Sequence, residues 1–541
     1  MNVGRWIHAV AEHRPEALAL RTPCHDATYA ELAGQVDQVA LALAAAGVGR
    51  GDRVAWLGLA SVDLLATLFA CARVGALFVP LNWRLAPPEH RALLARIEPA
   101  LLVAAGEFAQ ACERDAVAPP GTRCVARHAH RSAAGSASAG WREWIDRTDW
   151  RAWSEFLAGA DDTRTPADAG TGDDTPLLLC FTSGSTGEPK GVLLSARAIA
   201  ANADAAVQMH GMRAADRVLT TLPLFHVGGL NIQTLPALRS GCRVTLMPRF
   251  DPEATLVSIA RERITLTVLV PAQIEALLAH PLWAEADLSS LRMLSTGSTL
   301  VPRRLIDAVH ERGVPLIQVW GATETGPVVC CQQADEALAK AGSAGRAALA
   351  ATLRVVDAEG RDLPAGRCGE VLVRAPQLMN GYWRDPAATA QALADGWFHS
   401  GDSGHLDADG CLWIDGRLKD MIISGGENVS PAEVESILLE CPEVAEAAVV
   451  GRPDPRWGEA VVAVVAPRAG AQLDAARLLA RYTGRLARYK HPRELIVVDA
   501  LPRTALGKVR KEDIRQLVAR TPGPAAVVTA AKALTSAGSP P

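Results

Sequence analysis

The stretch Phe181-Thr-Ser-Gly-Ser-Thr-Gly-Glu-Pro-Lys190-Gly191-Val192 limits what this chain can fold into more than any other. An apolar run, Leu177 to Phe181, precedes it and reads as a buried strand. Val192-Leu-Leu follows, and then a helix-like run from Ala196 to Asn202. The loop between holds four hydroxyls (Thr182, Ser183, Ser185, Thr186), two glycines (Gly184, Gly187) and one cation, Lys190. Glycines let the backbone approach an anion and turn its N–H groups onto it, hydroxyls donate further hydrogen bonds, and the lysine adds charge. That is the donor set a polyphosphate needs. It is not a Walker A loop, because Pro189 precedes Lys190 and Gly191 follows it. The plain alternative is a Gly/Ser linker, but strand-like flanks and a Pro-Lys-Gly exit are unusual in one.

At 541 residues the chain exceeds a single core and should divide into domains. Its net charge of −4 gives no general pull toward nucleic acid or an anionic membrane. The first ten residues contain no long apolar run, so no signal peptide is predicted. The most apolar stretch, Leu64 to Leu81, is broken by Arg73 and Gly75 and reads as a buried helix and strand, not a membrane span. The 11 cysteines are scattered, and the adjacent pair Cys330-Cys331 lacks metal-ligand spacing. They read as reduced core thiols of a cytoplasmic protein.

Residues 28 to 104 alternate helix and strand signals. Thr28 with Glu31 three residues on resembles a capping box, and the helix it opens runs through Val36, Val39, Ala40, Leu43 and Ala44 to Gly47. Strands are predicted at Val54–Leu59 and Val79–Asn82, with a helix carrying Leu64, Leu65, Leu68 and Phe69 between them. The alternation predicts an α/β domain with a largely parallel sheet. Residues 129 to 174 read as a loose connector around a short helix with Trp141, Trp144, Trp150 and Trp153, whose role is packing. Further apolar runs end at His226, Gln273, Gly297-Ser298 and Trp320-Gly321, and strand ends are where ligands collect in open α/β sheets. A small β region (Gly369–Val373, Leu412–Ile414) follows. A small α+β domain is then predicted, with helices at 429–439 and 473–486 and strands at 444–451 and 460–466. Residues 521–541 are rich in Ala, Pro, Ser and Gly and read as a flexible tail.

Five segments in order, Thr182–Val192, Pro223–Gly229, Gly321–Glu324, Ser400–Asp402 with Arg417, and Pro502–Lys508, make the chain resemble the AMP-forming acyl-CoA synthetases of the adenylate-forming superfamily. The resemblance runs from Thr28 to Lys511 and is nearest to bacterial fatty-acyl and aryl-acid CoA ligases. It implies a large α/β N-terminal domain (1–416), a hinge at 417–420 centred on Lys419, and a small mobile α+β lid (421–520). It implies attack of a carboxylate on ATP to give acyl-AMP and pyrophosphate, then transfer to CoA. Such chemistry demands charge neutralisation around phosphates and exclusion of water from a mixed anhydride.

Carried over residue by residue, the resemblance gives the β- and γ-phosphates to Thr182, Ser183, Gly184, Ser185, Thr186, Gly187 and Lys190. Gly297, Ser298, Trp320, Gly321 and Ala322 would complete the nucleotide site, with Trp320 standing where the family usually has tyrosine. Thr323 would meet the α-phosphate and Glu324 would hold Mg²⁺; alone, Glu324 reads better as a helix-start carboxylate, but beside the other motifs it does not. Asp402 would accept from the ribose hydroxyls, with Arg417 beside it. Lys508 would bridge α-phosphate and attacking carboxylate, and His226 would lie by that carboxylate. Phe225-His226-Val227-Gly228 lacks the aspartate that pairs an amino-acid substrate. Ser424, Gly425 and Gly426 would line the pantetheine channel. Trp457 and Tyr489 either hold the CoA adenine or pack in the core. A medium-to-long-chain fatty acid is the first-choice substrate and an aromatic acid the second, with pocket depth depending on Asn231, Gln273 and Met293. Delivery to a carrier protein, and a non-catalytic regulator on the same fold, are the competing readings. A homodimer is left open.

Overall fold

The computed structural model describes residues 2–128, 137–159, 174–182, 189–297, 301–424, 427–454, 457–483, 485–504, 508–521 and 528–529. Its chain forms two compact units. The first comprises Met1–Ser298, Val309–Leu353 and Val373–His399; the second comprises Thr299–Ala308, Arg354–Leu372 and Ser400–Pro541.

The first unit is built on two parallel-rich sheets, as the alternating pattern predicts. In one, the described strands run in the spatial order Gly381–Tyr382, Lys190–Ser195, Pro176–Thr182, Leu77–Leu81, Arg53–Leu57, Leu101–Ala105, Arg123–Arg127 and Arg151–Ala152. The strands from Pro176–Thr182 to Arg151–Ala152 pair in parallel, whereas Lys190–Ser195 is antiparallel to both its neighbours. In the other, Leu316–Trp320, Met293–Gly297, Leu266–Val268, Arg217–Thr220, Arg243–Leu246 and Leu18–Arg21 form a parallel core with antiparallel edges.

The helix Tyr29–Ala45 opens with the expected capping box, Thr28 receiving the Glu31 N–H while the Glu31 carboxylate receives the Thr28 N–H. Its first residue, Tyr29, is fully buried, and the phenol donates toward the carbonyls of Leu238 (3.0 Å) and Cys242 (2.7 Å). One side chain thus anchors the helix to residues more than two hundred positions away. The helix Val62–Val74 is buried along nearly its whole length, which explains the apolar run there. Inside it Arg73 meets Asp37 and His8. The tryptophans do pack: Trp141, Trp144 and Trp150 form a chain of ring contacts, and Trp153 meets Trp56 edge-on.

In the second unit, Thr352–Val356, Gly369–Arg374, Phe398–Leu406 and Leu412–Arg417 form a four-stranded sheet, the first three of which begin or end in the other unit. A further sheet centres on Gly458–Pro467, flanked by Val444–Asp454, Glu494–Val497 and Ile422–Ser424. Within the stretch read as a tail, Val528–Thr529 pairs in parallel with Ile496 and Val497.

Several readings need correction, and the first is the apolar run ending at His226, which is a strand only over Arg217–Thr220. Val429 closes a short strand, Glu427–Val429, and the helix begins at Pro431, where proline suits the first turn. The helix expected over 473–486 is only Ala475–Ala480, capped by Asp474; beyond it Tyr482 is drawn into the core and donates to the Val434 carbonyl. Pro271-Ala-Gln273 opens a helix, Pro271–Ala279, and the preceding strand ends at Val268. The thiols are not uniformly core residues: Cys24 and Cys368 are exposed and Cys124 is half-buried.

The Tyr29 anchor yields a stability test. Tyr29→Phe removes the buried phenol donor from the Leu238 and Cys242 carbonyls and should cost about 1 kcal/mol or more, read as an earlier thermal unfolding transition with the circular dichroism of the folded state unchanged.

Candidate active site

Two antiparallel strands flank the expected phosphate loop. Pro176–Thr182 pairs with Lys190–Ser195, Thr182 lies opposite Lys190, and the Thr182 hydroxyl donates to the Lys190 carbonyl at 3.3 Å. Lys190 is therefore a strand residue, not a loop residue, and its stem direction is set by the ladder. Ser183, Gly184, Ser185, Thr186 and Gly187 lie outside the described residues, as do Ser298, Gly425 and Gly426. Gly191 is required by packing: a Cβ there would stand 2.9 Å from Leu179 and 3.1 Å from Trp383.

A residue that sequence reasoning missed organises this corner. Tyr382 pairs with Val192 at the sheet edge. Its ring lies 4.9 Å from the Lys190 ammonium and its hydroxyl donates to Glu324 Oε1 at 2.9 Å. The segment carrying it is fixed on both sides, with Trp383 N–H donating to Gly191 O and Met379 N–H to Glu324 O. A cation over a phenol face and a carboxylate on its hydroxyl are both favourable contacts. The usable signal was local: Gly381-Tyr382-Trp383 holds one of only 4 tyrosines in the chain.

Glu324 sits in a single 3₁₀ turn, Thr323–Thr325, so it does not open a longer helix. Thr323 is buried and Glu324 half-buried. The approach to this turn is tight. A Cβ on Gly321 would fall 2.0 Å from the Pro327 carbonyl, and one on Gly297 would fall 2.3 Å from that of Val319. Gly297 lets its strand end lie against the neighbouring strand, and Gly321 lets the chain fold back closely on Pro327. Trp320 is half-buried at the end of its strand, opposite Cys330, and Ala322 donates its N–H to Thr325. Asn202, buried on the helix Ala196–His210, receives the Val328 N–H and donates to the Asn231 carbonyl. It ties the turn after Glu324 to the segment after His226.

His226 caps a short helical turn, Val227–Gly229, through Nδ1, which accepts from Gly228 N–H at 3.0 Å. A Cβ on Gly229 would stand 2.3 Å from the Pro223 carbonyl. The turn continues into a π-helical segment, Leu230–Thr234. On it Asn231 is buried, and its side-chain amide has no hydrogen-bond partner among the described residues. Met293 is buried, whereas Gln273 is used locally, accepting the Val270 N–H.

In the second unit Asp402 and Arg417 face each other across a hairpin, Nε to Oδ1 at 2.8 Å, and Arg417 also donates to the Ser400 carbonyl. Lys419 is exposed in the turn Leu418–Asp420, and Arg515 pairs with the neighbouring Asp420. Ser424 is fully buried, with a hydroxyl that has no partner among the described residues. Trp457 is half-buried under the Arg493 guanidinium (4.0 Å), and Tyr489 packs partly against the core around Val434 and Leu438. Lys508 is exposed; Thr504 receives its N–H and donates its own N–H to its carbonyl.

The described residues contain no helix long and apolar enough to cross a membrane. Residues 7–383 match the family described as "AMP-binding enzyme", and residues 433–508 match its C-terminal domain. The chain is 53% identical to the indoleacetate–CoA ligase of Aromatoleum aromaticum, over 96% of this chain and 99% of that one. It is 35% identical to the long-chain-fatty-acid–CoA ligase FadD13 of Mycobacterium tuberculosis, over 96% and 99%. Among solved structures it resembles the anthranilate CoA ligase AuaEII in complex with anthranoyl-AMP, with a TM-score of 0.85, 27% identity and coverage of 96% and 98%. The chain belongs to the AMP-binding enzyme family and is an acyl-CoA synthetase of the adenylate-forming superfamily.

Proposed function

We propose that this enzyme activates an aromatic carboxylic acid, of the arylacetate kind, through its adenylate and passes the acyl group to CoA. The observation that carries the choice of acid is the 53% identity, over nearly both full lengths, to an indoleacetate–CoA ligase, against 35% to a long-chain ligase. The fatty acid, first choice on sequence alone, therefore becomes the runner-up. Asn231 supports the same reading. A buried amide with no partner among the described residues offers both a donor and an acceptor to a polar ring atom, and an alkyl chain satisfies neither.

The proposed roles follow from charge and reach. Lys190 meets the outer phosphates of ATP, with Thr182 and residues 183–187 as further donors. Glu324, a half-buried carboxylate oriented through Oε1, fits a hard cation such as Mg²⁺ in its donor chemistry. Such an ion would neutralise phosphate charge, and Tyr382 fixes the carboxylate that holds it. Thr323 meets the α-phosphate, and His226, with Nδ1 engaged by its own turn, presents the rest of its ring to the acid. Gly297, Ser298, Trp320, Gly321 and Ala322 frame the adenine. Asp402 takes the ribose hydroxyls, Arg417 orients it, and Lys508 steers acid and α-phosphate in the first half-reaction. Turning of the segment 421–520 about Lys419 then offers Ser424, Gly425 and Gly426 to pantetheine, with Trp457 and Tyr489 for the CoA adenine.

Four outcomes test this. With a panel of acids followed by pyrophosphate release, indoleacetate or phenylacetate should exceed palmitate and hexanoate in kcat/KM by at least about tenfold. Asn231→Leu should erode the preference for indoleacetate over phenylacetate. Equal rates across the panel would remove the aromatic reading, and CoA-independent AMP release would favour another acceptor. Lys508→Ala should slow adenylate formation by about a hundredfold or more and leave thioester formation from supplied acyl-adenylate largely intact; equal loss of both would count against two poses. Tyr382→Phe keeps the ring beneath Lys190 and removes the hydroxyl from Glu324. It should raise the magnesium concentration needed for half-maximal rate several-fold (about 1 kcal/mol), while Tyr382→Leu should do more harm.

A further inference from the structure

Away from these residues, three donor groups converge in the second unit. Cys368 precedes the strand Gly369–Arg374, His405 lies on Phe398–Leu406, and Asp415 on Leu412–Arg417. Their donor atoms all lie within 4.8 Å of one another. His405 Nδ1 stands 3.8 Å from Cys368 Sγ and 3.2 Å from Asp415 Oδ2. We propose that Cys368, His405 and Asp415 form a binding site for a divalent transition ion of borderline softness, such as Zn²⁺.

The distances carry the proposal. Bonds of about 2.3 Å to sulfur and about 2.0–2.2 Å to nitrogen and oxygen give a tetrahedral ion donor–donor edges of about 3.3–3.6 Å. The two edges at His405, 3.2 and 3.8 Å, bracket that interval, and the third is no longer than 4.8 Å. Thiolate, imidazole and carboxylate together suit zinc better than magnesium or calcium, which take oxygen ligands. A nucleophilic relay is the other chemistry open to these residue types, and the geometry argues against it. In a relay the thiol and the carboxylate engage opposite ring nitrogens. Here both approach Nδ1, so the three groups face one point.

The surroundings hold the donors in place. The His405 ring stacks parallel to Trp413, with centroids 6.3 Å apart, and Trp413 donates to Asp407. The Asp415 carbonyl receives the Ser430 hydroxyl. Nearby, the Glu433 carboxylate is held by the Lys490 ammonium at 2.7 Å. Partial desolvation of the thiol, and then the hydrogen bond and charge of Asp415, push Cys368 up to about 12. A bare thiol there keeps its proton at neutral pH; a bound cation takes the thiolate and releases that proton to water. An ion here would tie the start of one strand to the hairpin that carries Asp402 and Arg417.

Untagged, reduced, full-length protein titrated with Co²⁺ in the absence of nucleotide provides the test. One Co²⁺ per chain should bind with a thiolate-to-cobalt charge-transfer band and strong tetrahedral visible bands, and Zn²⁺ should displace it one for one. Cys368→Ser should lose the charge-transfer band and Asp415→Asn should weaken binding, whereas Cys24→Ser, which alters the other exposed thiol, should behave as the parent. A weak octahedral spectrum only, or an undiminished band in Cys368→Ser, would overturn the site.

Discussion

One phenol ring sets the electrostatics of the first unit's site corner. Tyr382 presents its face to the Lys190 ammonium and its hydroxyl to the Glu324 carboxylate, so two opposite charges are held by one rigid group. Neither depends on direct pairing with the other. A direct lysine–glutamate ion pair would consume both charges and would have to break before either met a ligand. Placing a ring between them keeps each oriented and available. The arrangement works only because the edge strand Gly381–Tyr382 is sewn to the hairpin on one side and, through Met379, to the 3₁₀ turn on the other.

The glycines extend the same constraint. Gly297 and Gly321 end neighbouring strands where a side chain would collide with backbone carbonyls, not with movable side-chain tips. Close backbone approach sets these ends tightly against their neighbours, the place where ligands collect in open α/β sheets. Asn202 then locks two loops with its two amide atoms. Packing and hydrogen bonding serve the same end here, which is to leave Thr323 and Glu324 in a turn too short to relax into a helix.

Much of this was legible in the sequence, and the limits have physical causes. The capping box at Thr28–Glu31, the buried helix Val62–Val74 and the strand ends at Gly297 and Trp320 are local patterns, and they emerged as read. The helix over 473–486 was overextended because its apolar spacing continues past Ala480; the burial of Tyr482, a tertiary event, ended it. Tyr382 escaped notice because its partners lie 58 and 192 positions away. Spacing could not reveal the Cys368, His405 and Asp415 cluster either, since strands bring together residues separated by 37 and 10 positions.

The Asp402–Arg417 pair has a consequence for how a sugar would be read. The Asp402 side chain is 12% exposed and already gripped by a guanidinium, so folding of the hairpin has met the expense of dehydrating it. A ribose docking there, as proposed, would exchange hydrogen bonds with an anion already aimed and compensated. Such an exchange adds little raw affinity, yet a sugar that lacks a hydroxyl leaves an acceptor stranded. That corner would therefore act as a discriminator, telling ribonucleotides from their deoxy counterparts by what is missing.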